Sequence, residues 1–182
     1  MVTGLVMAMV ALRLVPMGLA NLLPIAPFQG LPLVACGLGW LLWSLLVGYL
    51  GHRLPLAALD HDSCLTRPRP WGEPLSFYGQ RLAISRWKAW LPDAGSLFPG
   101  GLRKRELIGR DRSRLERLVA ETRRAEWVHL GIWPFWLATA LWLPPWAVVV
   151  NLLFATAFNL PCLWLQRYNR LRLLALLARL GP

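Results

Sequence analysis

The 182 residues are 56% hydrophobic and 16% charged, with 11 tryptophans and a formal net charge of +11. A soluble domain carries about 25% charged and about 45–50% apolar residues, so the chain is too apolar for an ordinary water-soluble fold and too basic for an ordinary core. Its apolar content also excludes a disordered nucleic-acid-binding tail.

Apolar runs of about 20 residues are the signature of spanning helices. Four occur, from Leu5 to Ile25, Leu31 to Leu50, Trp127 to Leu143 and Trp146 to Leu165. The expected fold class is therefore all-α, a polytopic membrane protein with about four transmembrane helices and an amphipathic cytoplasmic segment between the second and third. Three sections follow: an N-terminal transmembrane hairpin (1–50), a basic, aromatic-rich interfacial segment (51–126), and a C-terminal transmembrane hairpin with a basic tail (127–182).

Arg13 lies near the centre of the first span, where an arginine costs about 2.5–3.5 kcal/mol. A cleaved signal peptide is the competing reading of that segment. It lacks a basic residue before Arg13 and a small-residue cleavage pattern after the apolar run.

The connections Ala26 to Gly30 and Pro144-Pro145 carry no charge. The segment from Gly51 to Glu126 and the tail after Gln166 hold most of the basic residues. Basic loops stay on the cytoplasmic side, which puts both of these segments, and both termini, inside. From Arg81 to Arg124 there are twelve basic and five acidic residues, a local excess of seven. Residues from Leu54 to Gly101 are rich in proline, glycine and aromatics and suit irregular structure in the headgroup layer, whereas Leu102 to Glu126 reads as helix. Next to spanning segments, anionic phospholipid rather than nucleic acid is the expected counter-charge.

Cys36, Cys64 and Cys162 are odd in number and widely separated, with neither a CxxC pair nor zinc spacing. Structural disulfides are not expected. Phosphate-cradling glycine loops, the G-x-S-x-G elbow and GxGxxG are all absent. His52, His61 and His129 also fail the H-x-x-x-x-D pattern of glycerolipid acyltransferases.

At about 100° per residue, Leu115, Leu118, Val119, Thr122, Glu126, His129 and Trp133 share one stripe that continues into the third span. A stripe opening on leucines faces a core, so it carries Thr122, Glu126 and His129 inward at the membrane boundary. On the fourth span Asn159, Cys162, Gln166, Asn169 and Arg170 share a face. Polar groups in lipid must be satisfied inside the bundle. Counting equal distances from Pro144-Pro145 sets His129 level with Asn159, Glu126 level with Leu163 and Arg123 level with Gln166.

These residues also have a structural reading, in which Glu126 pairs with Arg170, or Glu121 with Arg167, to lower the cost of burial. Glu126-x-x-His129 matches half of a carboxylate-bridged metal motif, and Asp60-His61-Asp62 offers oxygen and nitrogen ligands. The second copy that the bundle motif needs is missing, and no metal site is expected.

Ser85-Arg-Trp-Lys88 followed by Pro92-Asp93, then Glu121-Thr-Arg-Arg-Ala-Glu-Trp-Val-His129, then Asn159-Leu-Pro161 with Gln166-Arg-Tyr-Asn-Arg-Leu-Arg172, occur in this order. With Gly51-His-Arg-Leu-Pro55, they resemble the glycosyl-4,4'-diaponeurosporenoate acyltransferase family of staphyloxanthin-type carotenoid biosynthesis. The likeness runs from about Gly48 to the C-terminus and leaves out the first apolar segment. It implies a bacterial cell membrane enzyme that moves a fatty acyl group to a sugar hydroxyl of a glycosylated terpenoid or related glycolipid. The implied co-substrate is acyl-CoA or acyl carrier protein, with no bound cofactor.

Under that implication His129 is the candidate general base and Glu126 its orienting carboxylate. Thr122 and Asn169 complete the polar lining, Asn159 and Gln166 bind sugar hydroxyls or the oxyanion, and Arg170 answers developing charge. Arg123, Arg124, Arg167 and Arg172 form a rim for donor phosphate or an acidic carrier. The rival class is a non-catalytic membrane assembly or scaffold protein.

Overall fold

The computed structural model describes residues 30–67, 74–91 and 111–180, with side chains from residue 34 onward. Among these residues the chain is helical, without strands. Helix α1 spans Gly30–Arg53 and is followed by a 3-10 turn at Leu56–Leu59. A π-helical turn at Phe77–Arg81 leads into the short α2, Ile84–Trp87. Then come α3 (Arg112–Ile132), the short α4 (Phe135–Thr139) and α5 (Pro145–Arg179).

Two described helices, α1 and α5, are long and apolar enough to cross a bilayer, not four. The first expected span lies outside the described residues. The third, Trp127 to Leu143, is not one helix: α3 ends at Ile132 and the chain bends through Trp133-Pro134 into α4. Proline supplies no backbone N–H and its ring clashes with the carbonyl four residues earlier, so an apolar run of sufficient length still breaks. The fourth is longer than expected. At 1.5 Å per residue the 35 residues of α5 reach about 52 Å, well past a hydrocarbon core of about 30 Å.

The outer faces of both long helices are bare apolar side chains, including Leu38, Leu42, Leu45 and Leu50 on α1 and Trp146, Leu153 and Phe158 on α5. Such a surface is suited to lipid tails. Helix α3 runs antiparallel to both. It meets α1 through two reciprocal glycine–valine contacts: a Cβ on Gly51 would lie 2.4 Å from Val128 Cγ2, and one on Gly131 would lie 2.9 Å from Val47 Cγ1. Small residues let spanning helices approach closely. Here the missing side chain also lets Trp43 Nε1 donate to the Gly131 carbonyl at 3.0 Å. Because α1 and α5 thus run in the same direction, their uncharged starts lie at one end of the bundle and their basic ends at the other.

The far side of α5 packs on the interfacial segment through a core of Tyr78, Ile84, Leu165 and Tyr168. Ala83 makes the turn that presents Ile84, with φ 47°, the left-handed region that costs a side-chain-bearing residue roughly 1–2 kcal/mol.

Candidate active site

Polar side chains on α5 solve the problem of burial by one repeated device. Asn151 Nδ2 donates to the Ala147 carbonyl, Thr156 Oγ1 to Leu152 and Asn159 Nδ2 to Ala155, each one turn back along the helix. Each then accepts from across the bundle. Trp40 Nε1 and Cys36 Sγ reach Asn151 Oδ1 at 2.8 and 3.2 Å, and Trp133 Nε1 reaches Thr156 Oγ1 at 3.2 Å.

At Asn159 the donor is His129, whose Nδ1 lies 3.0 Å from Oδ1. The amide orientation decides the imidazole's tautomer. Since Asn159 Nδ2 is committed to Ala155, Oδ1 faces His129 and Nδ1 must carry the proton. Neutral His129 therefore keeps its lone pair on Nε2, which has no hydrogen-bond partner among the described residues. His129 is half-buried and Asn159 is 4% exposed, so the ring is held but not sealed.

Glu126 behaves differently from the expectation. It is completely buried, and its two carboxylate oxygens accept from Arg167 Nε and Arg170 Nη1. Its partners are arginines one helix away rather than the imidazole one turn on; of the sequence readings, its pairing with Arg170 is the one observed. Arg170 Nη2 also donates to the Thr66 carbonyl, and Arg170 Nε lies 3.5 Å from Asp62 Oδ1. Arg123 was expected at a rim, level with Gln166. It is 7% exposed instead, with Nε on Asp62 Oδ1 at 2.7 Å and Nη1 on the Leu59 and Asp60 carbonyls.

The loop from Leu54 to Arg67 is thus clasped by guanidinium groups. Arg167 Nη2 reaches the Leu65 carbonyl at 3.0 Å and Arg124 Nη2 the Leu54 carbonyl at 3.1 Å. Within the loop Ser63 and Thr66 bond each other's side chains and backbone. A segment without regular structure has no ladder for its carbonyls, and the arginines supply donors in its place. Arg124 is also paired with Glu121 at 2.8 Å, the acid that sequence set against Arg167.

Thr122 donates to the Val119 carbonyl of its own helix at 2.7 Å, so it lines the α3–α5 contact without a free hydroxyl proton. Gln166 and Asn169 are half-buried, and their amides have no hydrogen-bond partner among the described residues. Together with His129 Nε2 they are the uncommitted polar groups of the expected set. Asp62, which the sequence offers only as a metal ligand set aside, is instead a partner of Arg123 and Arg170. The signal in the sequence is charge count alone: Arg123, Arg124, Arg167 and Arg170 outnumber Glu121 and Glu126, the acids set beside them. Among the described residues no group of three or more His, Cys, Asp or Glu side chains is close enough to hold a metal ion.

The glycosyl-4,4'-diaponeurosporenoate acyltransferase family model matches residues 61–179. The chain belongs to this family. Proteins of that name from Staphylococcus aureus strains USA300, NCTC 8325 and MRSA252 are each 27% identical over 143 residues, covering 78% of this chain and 86% of theirs. No solved structure matches. The resemblance carried by Ser85 to Lys88, Glu121 to His129 and Gln166 to Arg172 is borne out, and an acyltransferase family stands against the scaffold reading. The matched region of this glycosyl-4,4'-diaponeurosporenoate acyltransferase family member opens at residue 61, within the clasped loop, and contains Asp62, Glu126, the four clasping arginines and the His129–Asn159 pair.

Proposed function

We propose that the protein acylates a sugar hydroxyl of a glycosylated carotenoid or related glycolipid, using a fatty acyl thioester delivered from the cytoplasm. The observation that carries the reading is the His129–Asn159 pair, which fixes the neutral imidazole with Nε2 as its basic nitrogen.

The acceptor's apolar chain lies along α1 and α5, whose exposed faces are suited to hydrocarbon, and its sugar reaches the level of His129. Nε2 takes the proton from the attacking hydroxyl as the oxygen adds to the thioester carbonyl. The C–S bond then breaks, and the imidazolium returns its proton to the departing sulfur. Donors placed at the developing oxyanion stabilise this step more than the ground state, and the candidate is the longer amide of Gln166; Asn169, about 15 Å along α5 from Asn159, lines the polar face further out. Glu126 holds Arg167 and Arg170 in place rather than orienting His129. Arg172, exposed beside the Tyr168 ring, and Arg124 serve the phosphate or acidic surface of the donor. The basic ends of α1 and α5 face the cytoplasm in a multi-pass arrangement.

The test is mass spectrometry of lipid and pigment extracts from cells with and without the protein. A glycolipid should gain one acyl group when the protein is present. Loss of that product in a His129→Ala variant that still inserts supports the assignment, and wild-type product in that variant overturns it.

A further inference from the structure

On the side of α5 away from Asn159 there is an open cleft of about 310 Å3 lined by Leu82, Trp87, Trp90, Leu91, Pro161 and Trp164. At about 100° per residue Pro161 and Trp164 stand roughly 160° and 140° from Asn159 around the helix, so this cleft is separate from the candidate active site. Its lining is apolar throughout. The one polar atom contributed by Trp87 is turned inward, with Nε1 donating to the Leu82 carbonyl at 2.8 Å. Trp90 is 86% exposed, an arrangement that water disfavours and the membrane interface favours.

Depth and charge identify the occupant. Pro161 lies about 24 Å along α5 from Pro145, and Trp164 about 29 Å, which places the cleft where a core of about 30 Å gives way to headgroups. From Pro74 to Leu91 the chain carries Arg81, Arg86 and Lys88 and no acidic residue. Arg81 adjoins the lining residue Leu82, and Arg86 and Lys88 flank Trp87. None of the three pairs with a carboxylate among the described residues. An apolar slot at the hydrocarbon boundary, its lining residues flanked in the chain by cations that have no carboxylate partner among the described residues, is complementary to an amphiphile with a hydrocarbon chain and an anionic head.

We infer that this cleft binds one acyl chain of an anionic glycerophospholipid, whose headgroup is held by Arg86 and Lys88. The bound lipid seats the interfacial segment against α5 and is not a reactant. The volume is at the low end for ligand pockets, suited to part of one chain.

The test is lipid retention by the purified full-length protein exchanged into mixed phosphatidylglycerol and phosphatidylcholine, read by mass spectrometry of bound lipid. Wild type should retain phosphatidylglycerol preferentially. Replacing both Arg86 and Lys88 by glutamine should reduce that preference roughly tenfold. Leu91→Trp, which fills the cleft, should lower retention of either lipid. If the double variant does not fold, 0.5 M salt on wild type should erase the preference instead. No preference in wild type, retention unchanged by Leu91→Trp, or displacement of phospholipid by a glycosylated carotenoid would overturn the inference. Because bound lipid is the readout, a protein that retains phosphatidylglycerol yet acylates nothing contradicts the proposed function and leaves the cleft assignment intact.

Discussion

His129 Nδ1 and Asn159 Oδ1 meet at 3.0 Å across a 30-residue separation, because the turn at Pro144-Pro145 brings α3 and α5 antiparallel in the register that makes them level. This contact joins the proposed base to the helix that carries the amides of Gln166 and Asn169. Removing the imidazole as His129→Ala should lower kcat by about 10²–10⁴, the usual worth of a general base. Asn159→Ala should produce a smaller loss with KM little changed, since the base remains but its tautomer is no longer imposed. Steady-state rates on detergent-solubilised protein check both. A double variant no slower than His129→Ala alone, with stability unchanged, would show that Asn159 acts through the imidazole; equal losses for the two single variants would contradict it.

Glu126, completely buried, holds the equally buried Arg170 and the half-buried Arg167. Breaking a buried pair by removing one partner costs about 3–5 kcal/mol, because the other charge is stranded. Glu126→Gln should therefore lower the unfolding midpoint strongly while the specific activity of the surviving folded fraction changes little. Thermal unfolding followed beside turnover distinguishes this from a direct role in proton transfer, which would reverse the ordering.

The crossing of α1 and α3 has no room for side chains at Gly51 and Gly131. Gly51→Leu should push Val128 aside and separate the helices, reducing the yield of folded protein. Replacing Val128 by glycine in the same chain should restore part of the loss. Monodisperse recovery in detergent measures it.

Ala83 is a side-chain-bearing residue at φ 47°. Glycine tolerates that conformation without the Cβ penalty, so Ala83→Gly should stabilise the protein by about 1 kcal/mol. A rise in the unfolding midpoint with unchanged activity is the expected result.

The arginine clasp depends on fork geometry rather than charge. Arg123→Lys keeps the cation but gives up the simultaneous contacts to Asp62 and the Leu59 and Asp60 carbonyls. Limited proteolysis should then cut the variant within 54–67 faster than wild type.

Periodicity and the proline turn make the level of His129 and Asn159 readable from the sequence, because the break at Trp133-Pro134 leaves the two antiparallel helices in nearly the register of an unbroken hairpin. The pairing of Glu126 with Arg170 was readable too, as the ordinary answer to burying a carboxylate. What stayed hidden was Asp62 and the loop around it. An excess of arginine over Glu121 and Glu126 calls for another acid, but contacts between guanidinium groups and backbone carbonyls follow no period, so the order of residues from Leu59 to Thr66 does not say that Arg123, Arg167 and Arg170 converge there. The break at Pro134 was overlooked for the opposite reason: hydropathy over Trp127 to Leu143 is indifferent to a missing N–H.

The two packed faces of α5 have a consequence for how errors spread through this protein. Adding a single residue just before Asn159 would rotate everything downstream by about 100°. Asn159 would leave His129, Arg167 and Arg170 would swing off Glu126, and Trp164 would turn out of the cleft, all in one step. Chemistry, clasp and lipid contact are three readings of one helical phase, and a frame of single-residue insertions along α5 should find them failing together.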